Sequence, residues 1–167
     1  MKTIHALKFF VPCNPRGKGR PRFRVIFPKA DVLFDHVSGG AKAFRSFVKS
    51  NTWVGTYTDD DTKAAELKVL VRFKRVHEDW TPWPGPVKIS IKTRMPIMKS
   101  WTKGKKQAAL NNLIAHQSSP DTDNITKLVL DALNKVAYED DKQVFVQTCV
   151  KEFSERPGLL IGLWMQE

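Results

Sequence analysis

The sequence predicts an α+β domain, a mixed β-sheet with helices packed on it, and three observations carry that prediction. Its 167 residues are 41% hydrophobic with ten Phe and five Trp, enough to fill one buried core and too apolar for a disordered chain. Residues 87–96, VKISIKTRMP, alternate apolar and polar as a half-buried strand does. Ile125, Leu128, Val129, Ala132, Leu133 and Val136 instead fall on one stripe, the period of a packed helix.

Taken in order, Ile4 to Val11 alternates and reads as an opening strand, closed by PCNPRGKGRPR, whose Gly and Pro make it a loop. Residues 25–53 mix short apolar runs with SGG, and AKAFRSFVKS there has the composition of a short helix. Cap-type residues from Thr58 to Thr62 precede Ala64, Leu67, Leu70, Val71 and Val76 at helical spacing, predicting a helix from about Thr62 to Val76. TPWPGP stops it, and the alternating strand 87–96 follows. SWTKGKKQAALNNLIAH reads as a basic helical segment weakened by Gly104. After the helix at 125–136 come two strands, QVFVQTCVKEF and GLLIGLWMQ, around a turn at SERPG. The expected order is β, α, β, α, α, β, β, with the whole chain, 1–167, as one domain.

Charge narrows the partner. Lys and Arg number 28 against 17 Asp and Glu, a net charge of +11, which suits a polyanion such as DNA or RNA. Two cysteines far apart argue against a disulfide framework or a four-ligand zinc site and for a reducing cytoplasm. The N-terminal apolar run is short and interrupted by His5 and Lys8, unlike a signal peptide, and no stretch reaches membrane-spanning length. The expectation is a cytoplasmic protein with no membrane partner and no organic cofactor.

Against this basic background, Asp121, Asp123, Asp131, Glu139, Asp140 and Asp141 gather within twenty-one residues that hold only two lysines. Clustered carboxylates repel one another, so such an island needs a cation, a proton or a structural reason. Asp123 or Asn124 has the side chain of a helix cap. On a helix turning about 100° per residue, Asp123, Lys127, Asp131 and Asn134 share the face opposite the apolar stripe. Asp121, two residues before Asp123 in an extended entry, turns toward the same side, and YEDDKQV returns Asp140 or Asp141, one of the two, toward the helix start. Three carboxylates converging there suit Mg²⁺ or Mn²⁺, hard cations that take oxygen and share their shell with phosphate. Lys127 is placed to neutralise charge on that phosphate or to hold the attacking water, and Asp131, one turn on, to pair with and orient Lys127. Phosphodiester hydrolysis is the chemistry suggested. The rival acidic run, TDDDT at 58–62, precedes a helix and reads as capping and dipole complementation.

The same residues carry a resemblance. Asp121-x-Asp123-Asn124, then Lys127, then Asp131-Ala132-Leu133-Asn134, then Asp140-Asp141-x-Gln143-Val144 resembles the RusA family of Holliday junction resolvases. GKGRPRFR at 17–24, TYT at 56–58 and the segment 95–116 are similar to that family's phage-borne branch. The resemblance implies a RusA-like fold and a homodimeric, Mg²⁺-dependent endonuclease (Mn²⁺ substituting) that resolves four-way and related branched DNA by paired symmetric nicks, in a bacterial or phage-infected cell. Position by position it implies Asp121, Asp123 and Asp141 as metal ligands and Lys127 as the catalytic lysine, with Asp140, Asn124 and Asp131 supporting. Residues 25–53 look like an insertion, and TDDDTK puts acids where relatives often carry Pro and Lys. Two rivals stand beside this reading: a non-catalytic basic nucleic-acid-binding protein whose acids are caps, and a metal-dependent nuclease specific for flaps, forks or RNA.

Two basic patches are the DNA-binding candidates. In RGKGRPRFR, Arg16, Lys18, Arg20, Arg22 and Arg24 recur every second residue, which places all five on one side of an extended chain. Lys99, Lys103, Lys105 and Lys106 surround Trp101, which either stacks on an unpaired base or, as segment-edge aromatics more often do, belongs to the core.

Overall fold

A computed structural model describes residues 2–27 and 40–167; residues 28–39, within the expected insertion and including His36, lie outside the described residues. The chain divides into two compact units, one formed by residues 1–19 with 60–167 and the other by residues 20–59.

The larger unit is an α+β fold on a four-stranded mixed sheet ordered β1-β6-β4-β5, where β1 is Thr3–Pro12, β4 Val87–Pro96, β5 Val144–Ser154 and β6 Gly158–Gln166. β6 runs antiparallel to both β1 and β4, whereas β5 runs parallel to β4. The alternation read in residues 87–96 is realised strand-long: Val87, Ile89, Ile91, Thr93 and Met95 are buried while Lys88, Lys92 and Pro96 are exposed. SERPG is indeed the link between the last two strands, yet those strands are not neighbours. β4 lies between them, so the link crosses the end of β4. Gly158 suits that crossing because a Cβ there would lie 2.5 Å from the backbone oxygen of Val11, a contact only glycine avoids.

Helices cover the sheet. α2 (Asp60–Val76) packs on β1, α4 (Thr122–Leu133) on β5, and the two helices pack on each other. α2 begins at Asp60, two residues earlier than the periodicity predicts, because Asp60 and Asp61 complement the exposed amides of its first turn. The apolar stripe of α4 is buried in full from Ile125 to Leu133, and each of its Ile, Leu and Val side chains contributes roughly 1.5–3 kcal/mol over its exposed state. It meets Val69 and Phe73 of α2 and the inner faces of β1, β4 and β6 in one core. The basic segment 100–116 is helical only from Lys103 to Leu110 (α3), capped by Thr102, whose hydroxyl accepts from the Lys105 amide. A satellite core of Met95, Ala109 and Phe153 takes in Trp101.

The smaller unit holds three elements that the predicted order lacks or left unassigned: β2 (Arg22–Ile26), α1 (Gly40–Asn51) and β3 (Trp53–Tyr57). β2 and β3 form an antiparallel two-stranded ribbon. The period-two arginines of 20–24 thus lead into a strand rather than a free arm.

Candidate active site

The site is built around the start of α4. Lys151 of β5 fixes the approach, its Nζ donating to the carbonyls of Ser118 at 2.8 Å and Pro120 at 3.1 Å. Asp121, rather than Asp123 or Asn124, is the N-cap residue. Its backbone is extended and its carbonyl accepts from Ile125 N at 3.0 Å, but its carboxylate makes no capping bond. The helix therefore begins at Thr122, and the Asp121 side chain stands exposed at its mouth, beside the end where first-turn amides lack intrahelical partners. Asp123 lies exposed in the first turn, where the helix dipole favours an anion, and Lys127 is exposed one turn further along.

A second segment is riveted to this helix start. The amide of Lys18 donates to Asn124 O at 2.9 Å, and that of Gly19 to Thr62 Oγ1 at 3.1 Å. Gly17 lies so close that a Cβ there would stand 2.8 Å from the Cβ of Asn124 and 3.2 Å from that of Pro120. Asn124 thus meets the loop through its backbone oxygen and its Cβ. Arg16 pairs with Asp61 at 2.9 Å. Lys18 pairs with Asp131 and, at 3.8 Å, approaches Glu66. The hydrogen bond it donates to Asp131 chiefly holds the Lys18 ammonium above its usual range, with the charge of Glu66 assisting.

Two expectations are corrected here. Asp131 holds Lys18 from the distant loop rather than its helical neighbour Lys127, because the docked loop brings an ammonium directly onto it. Arg16 and Lys18 are not part of a uniformly extended arm, since residues 14–21 form no strand and both cations are turned onto acids of α2 and α4.

The return after α4 sorts Asp140 from Asp141. Asp140 caps a short 3₁₀ turn, Asp141–Gln143, accepting from the Lys142 amide at 3.1 Å, while Gln143 Oε1 accepts from the Asp140 amide at 2.7 Å. That backbone hydrogen bond, with Lys142 and Lys135 nearby, holds the Asp140 carboxyl below the usual range. Gln143 Nε2 also donates to Trp83 O at 3.0 Å and Gly85 O at 2.9 Å, anchoring the turn to the chain before β4. Asp141 is left exposed. The buried Tyr138 hydroxyl donates to Leu130 O at 3.0 Å and is pushed strongly up, first by burial and then by the charges of Asp141 and Asp131. Asp141 thus lies within electrostatic reach of the Tyr138 hydroxyl, which bonds α4 at Leu130 rather than at its start.

Among the described residues, no three His, Cys, Asp or Glu stand close enough together to hold a metal ion, so Asp121, Asp123 and Asp141 do not form a closed cage. The donor set nevertheless fits Mg²⁺. It is all oxygen, and Mg²⁺ is usually bound by one or two carboxylates plus waters and substrate phosphate rather than by a complete protein cage. The exposed, uncapped Asp121 beside Asp123 offers such a partial set.

Of the other cations, Arg20, Arg22 and Arg24 are exposed in the smaller unit, and Lys99, Lys103 and Lys105 are exposed around α3. Lys106 donates to Lys99 O at 3.0 Å, and Lys105 sits 4.4 Å over the Trp101 ring. Trp101 packs edge-on against Phe153 at 5.1 Å, which favours its core reading. The structural roles of Gly17, Gln143 and Lys151 escape sequence reasoning. Each acts on residues far away in the chain, and only the GKG run and the Gln after Asp-Asp hinted at two of them.

Among the described residues no helix is long and apolar enough to cross a membrane. Comparison with known proteins adds two findings. The chain is 40% identical over 156 residues to YqaN, an uncharacterised protein of Bacillus subtilis (strain 168), covering 92% of each. The model of the endodeoxyribonuclease RusA family matches residues 12–163, from the end of β1 through the acidic island and into β6, and by that match the chain belongs to the RusA endodeoxyribonuclease family.

Proposed function

We propose that this protein is a Mg²⁺-dependent, homodimeric endodeoxyribonuclease that resolves Holliday junctions and related branched DNA in the cytoplasm by paired symmetric phosphodiester hydrolysis. The observation that carries the reading is the Asp121 carboxylate, left out of the capping role its position invites, next to Asp123 and one turn from an exposed lysine. Mg²⁺ would be held by carboxylates drawn from Asp121, Asp123 and Asp141. Once bound it supplies polarisation of a phosphoryl oxygen and a water of lowered pKa.

The chain's own residues do the rest. Lys127 offsets the negative charge that builds on the phosphoryl oxygens, a contribution realised in the transition state and not in the bound substrate. Asp140 and Gln143 keep the turn that presents Asp141 in place. The docked loop 16–19 buttresses Asn124 and Pro120 so that Asp121 and Asp123 hold their positions. Arg20, Arg22, Arg24 and the lysines around α3 bind phosphates, with junction shape rather than groove hydrogen bonds supplying selectivity. A homodimer suits a substrate that itself has approximate twofold symmetry, since two equivalent sites then meet two equivalent strands.

The test is nicking of a labelled four-way junction with and without Mg²⁺, alongside linear duplex and single strand of the same sequences. Cleavage is expected only with the metal and chiefly on the junction, and Asp123→Asn is expected to lower it about 100-fold or more. Undiminished cleavage by Asp123→Asn removes this site from the chemistry. Equal rates on junction and linear duplex remove the branched-DNA preference.

A further inference from the structure

We propose that one face of the β2–β3 ribbon is a stacking platform for unpaired nucleotides. The inference rests on the nucleic-acid reading above and adds a ligand class and two residues to it. The pairing register puts Arg22 opposite Tyr57, Arg24 opposite Gly55 and Ile26 opposite Trp53. Directly opposed residues of an antiparallel pair lie on the same face, and so do residues two apart along each strand. One face of the ribbon therefore carries Arg22, Arg24, Trp53 and Tyr57 together, while Phe23, Val25 and Val54 belong to the other.

The rings on the first face are available. Trp53 is 58% exposed and Tyr57 46% exposed, well above the burial of an aromatic used as core. Gly55 between them carries no side chain, and the cavity lined there by Arg24, Ile26, Gly55, Thr56 and Tyr57 measures about 320 Å³. Two exposed rings with arginines at two-residue spacing between and beside them match the recurring plan of single-strand sites, where cations track the phosphates and aromatic faces take the bases. Charge selects the ligand sign as well: residues 20–59 hold seven Lys and Arg against three Asp. The other face, with Phe23 71% and Val54 61% exposed, has the apolar area but no cation on its strands, so it lacks half of that plan.

Why unpaired bases and not duplex follows from the chemistry of the rings. Indole and phenol faces recognise a π-surface, and a paired, stacked base hides its own. In a branched substrate such surfaces become accessible at the crossover.

The experiment measures binding of the intact protein, without Mg²⁺, to labelled oligo(dT) and to a linear duplex by fluorescence anisotropy. It also uses a four-way junction carrying 2-aminopurine at the branch, whose fluorescence falls when an aromatic ring stacks on it. Replacing both rings, Trp53→Ala with Tyr57→Ala, is expected to weaken oligo(dT) binding by about 30-fold or more. It should abolish the 2-aminopurine quench and leave duplex binding unchanged. Trp53→Phe with Tyr57→Phe keeps two π-faces and is expected to retain oligo(dT) binding, which separates stacking from a collapsed ribbon. Arg22→Gln with Arg24→Gln should weaken both ligands and lower the single-strand salt slope by about 0.7 per charge removed.

Wild-type oligo(dT) affinity in the double-alanine variant overturns the proposal. So does equal loss on duplex and single strand, or loss in the phenylalanine variant as large as in the alanine one. Preference for an acidic peptide over oligo(dT) overturns it too, by making the face a protein contact. Because no readout involves cleavage, a protein that fails to nick junctions can still satisfy this test, and one that nicks them can still fail it.

Discussion

Replacing Gly17 with alanine tests whether the docked loop braces α4, the helix of the proposed site. The added methyl carbon would stand 2.8 Å from the Cβ of Asn124 and 3.2 Å from that of Pro120, whereas carbon atoms rest about 3.5–4.0 Å apart. The overlap of roughly 0.7 Å or more with Asn124 has two forms of relief. If the loop stays down, neighbours shift, and overpacking of this kind costs about 1–3 kcal/mol. If it lifts, the amide bonds from Lys18 to Asn124 and from Gly19 to Thr62 are lost, at about 0.5–1.5 kcal/mol each. The Arg16–Asp61 and Lys18–Asp131 pairs go with them, both partly solvated and contributing about 0.2–1 kcal/mol each. The second route totals about 1.4–5 kcal/mol, so the first sets the expectation: a loss of about 1–3 kcal/mol. Urea denaturation reads it as a lower midpoint at unchanged slope. Junction nicking by folded protein should fall as well, because the first route shifts Asn124 and Pro120, which flank Asp121 and Asp123, and the second leaves them unbraced. A variant with wild-type midpoint and wild-type nicking would refute the brace.

Gln143→Ala removes three hydrogen bonds that hold the turn bearing Asp141, and is expected to destabilise by about 1–3 kcal/mol and to lower nicking beyond what the stability loss explains; normal activity in the folded variant would free Asp141 from that anchor. Lys127→Ala should lower kcat about 100-fold while leaving junction Kd nearly unchanged, and a loss confined to Kd would contradict its role in the transition state. Burial lowers the pKa of His77 and His116 below the ordinary value of 6.5, with the charge of Lys151 adding to the effect at His116. Below pH 6.5 the unfolded chain binds protons that the folded one refuses, so the stability from these groups is complete above 6.5 and is lost as pH falls beneath it. Thermal midpoints should drop across that window, and His77→Phe, which keeps the ring packed on Phe73 and Phe9, should flatten the drop; an unchanged slope would exonerate His77.

What could be read from the chain was what periodicity and local order encode. The strand at 87–96 and the stripe of α4 are legible because each residue's burial repeats every two or every three to four positions. The acids of the island stand out as a cluster along the chain, but short spacing does not say which of them converge, and among the described residues no three stand together as a metal cage. The partner of Asp131 is not: sequence offers Lys127 four residues away, and the fold supplies Lys18 from 113 residues away. The ribbon escapes for a related reason. Gly55 breaks the pattern of β3, and the arginines of β2 look like an arm until the Trp53–Tyr57 strand pairs with them. SERPG likewise suggests a hairpin, because turn chemistry is local and cannot reveal that β4 lies between the strands it joins.

The place of β6 has a consequence for how the protein comes into being. Both of its neighbours precede it in the sequence, β4 by some seventy positions and β1 by about one hundred and fifty, as pairs such as Arg94 with Gly158 and Thr3 with Gln166 require. On a translating ribosome β1 and β4 thus emerge with hydrogen-bonding edges that nothing yet made can satisfy. The sheet closes only when β6 slots between them, a high-contact-order event of the slow kind. Until then those edges are open to other chains, and folding yield, more than final stability, is where crowding and synthesis rate should tell.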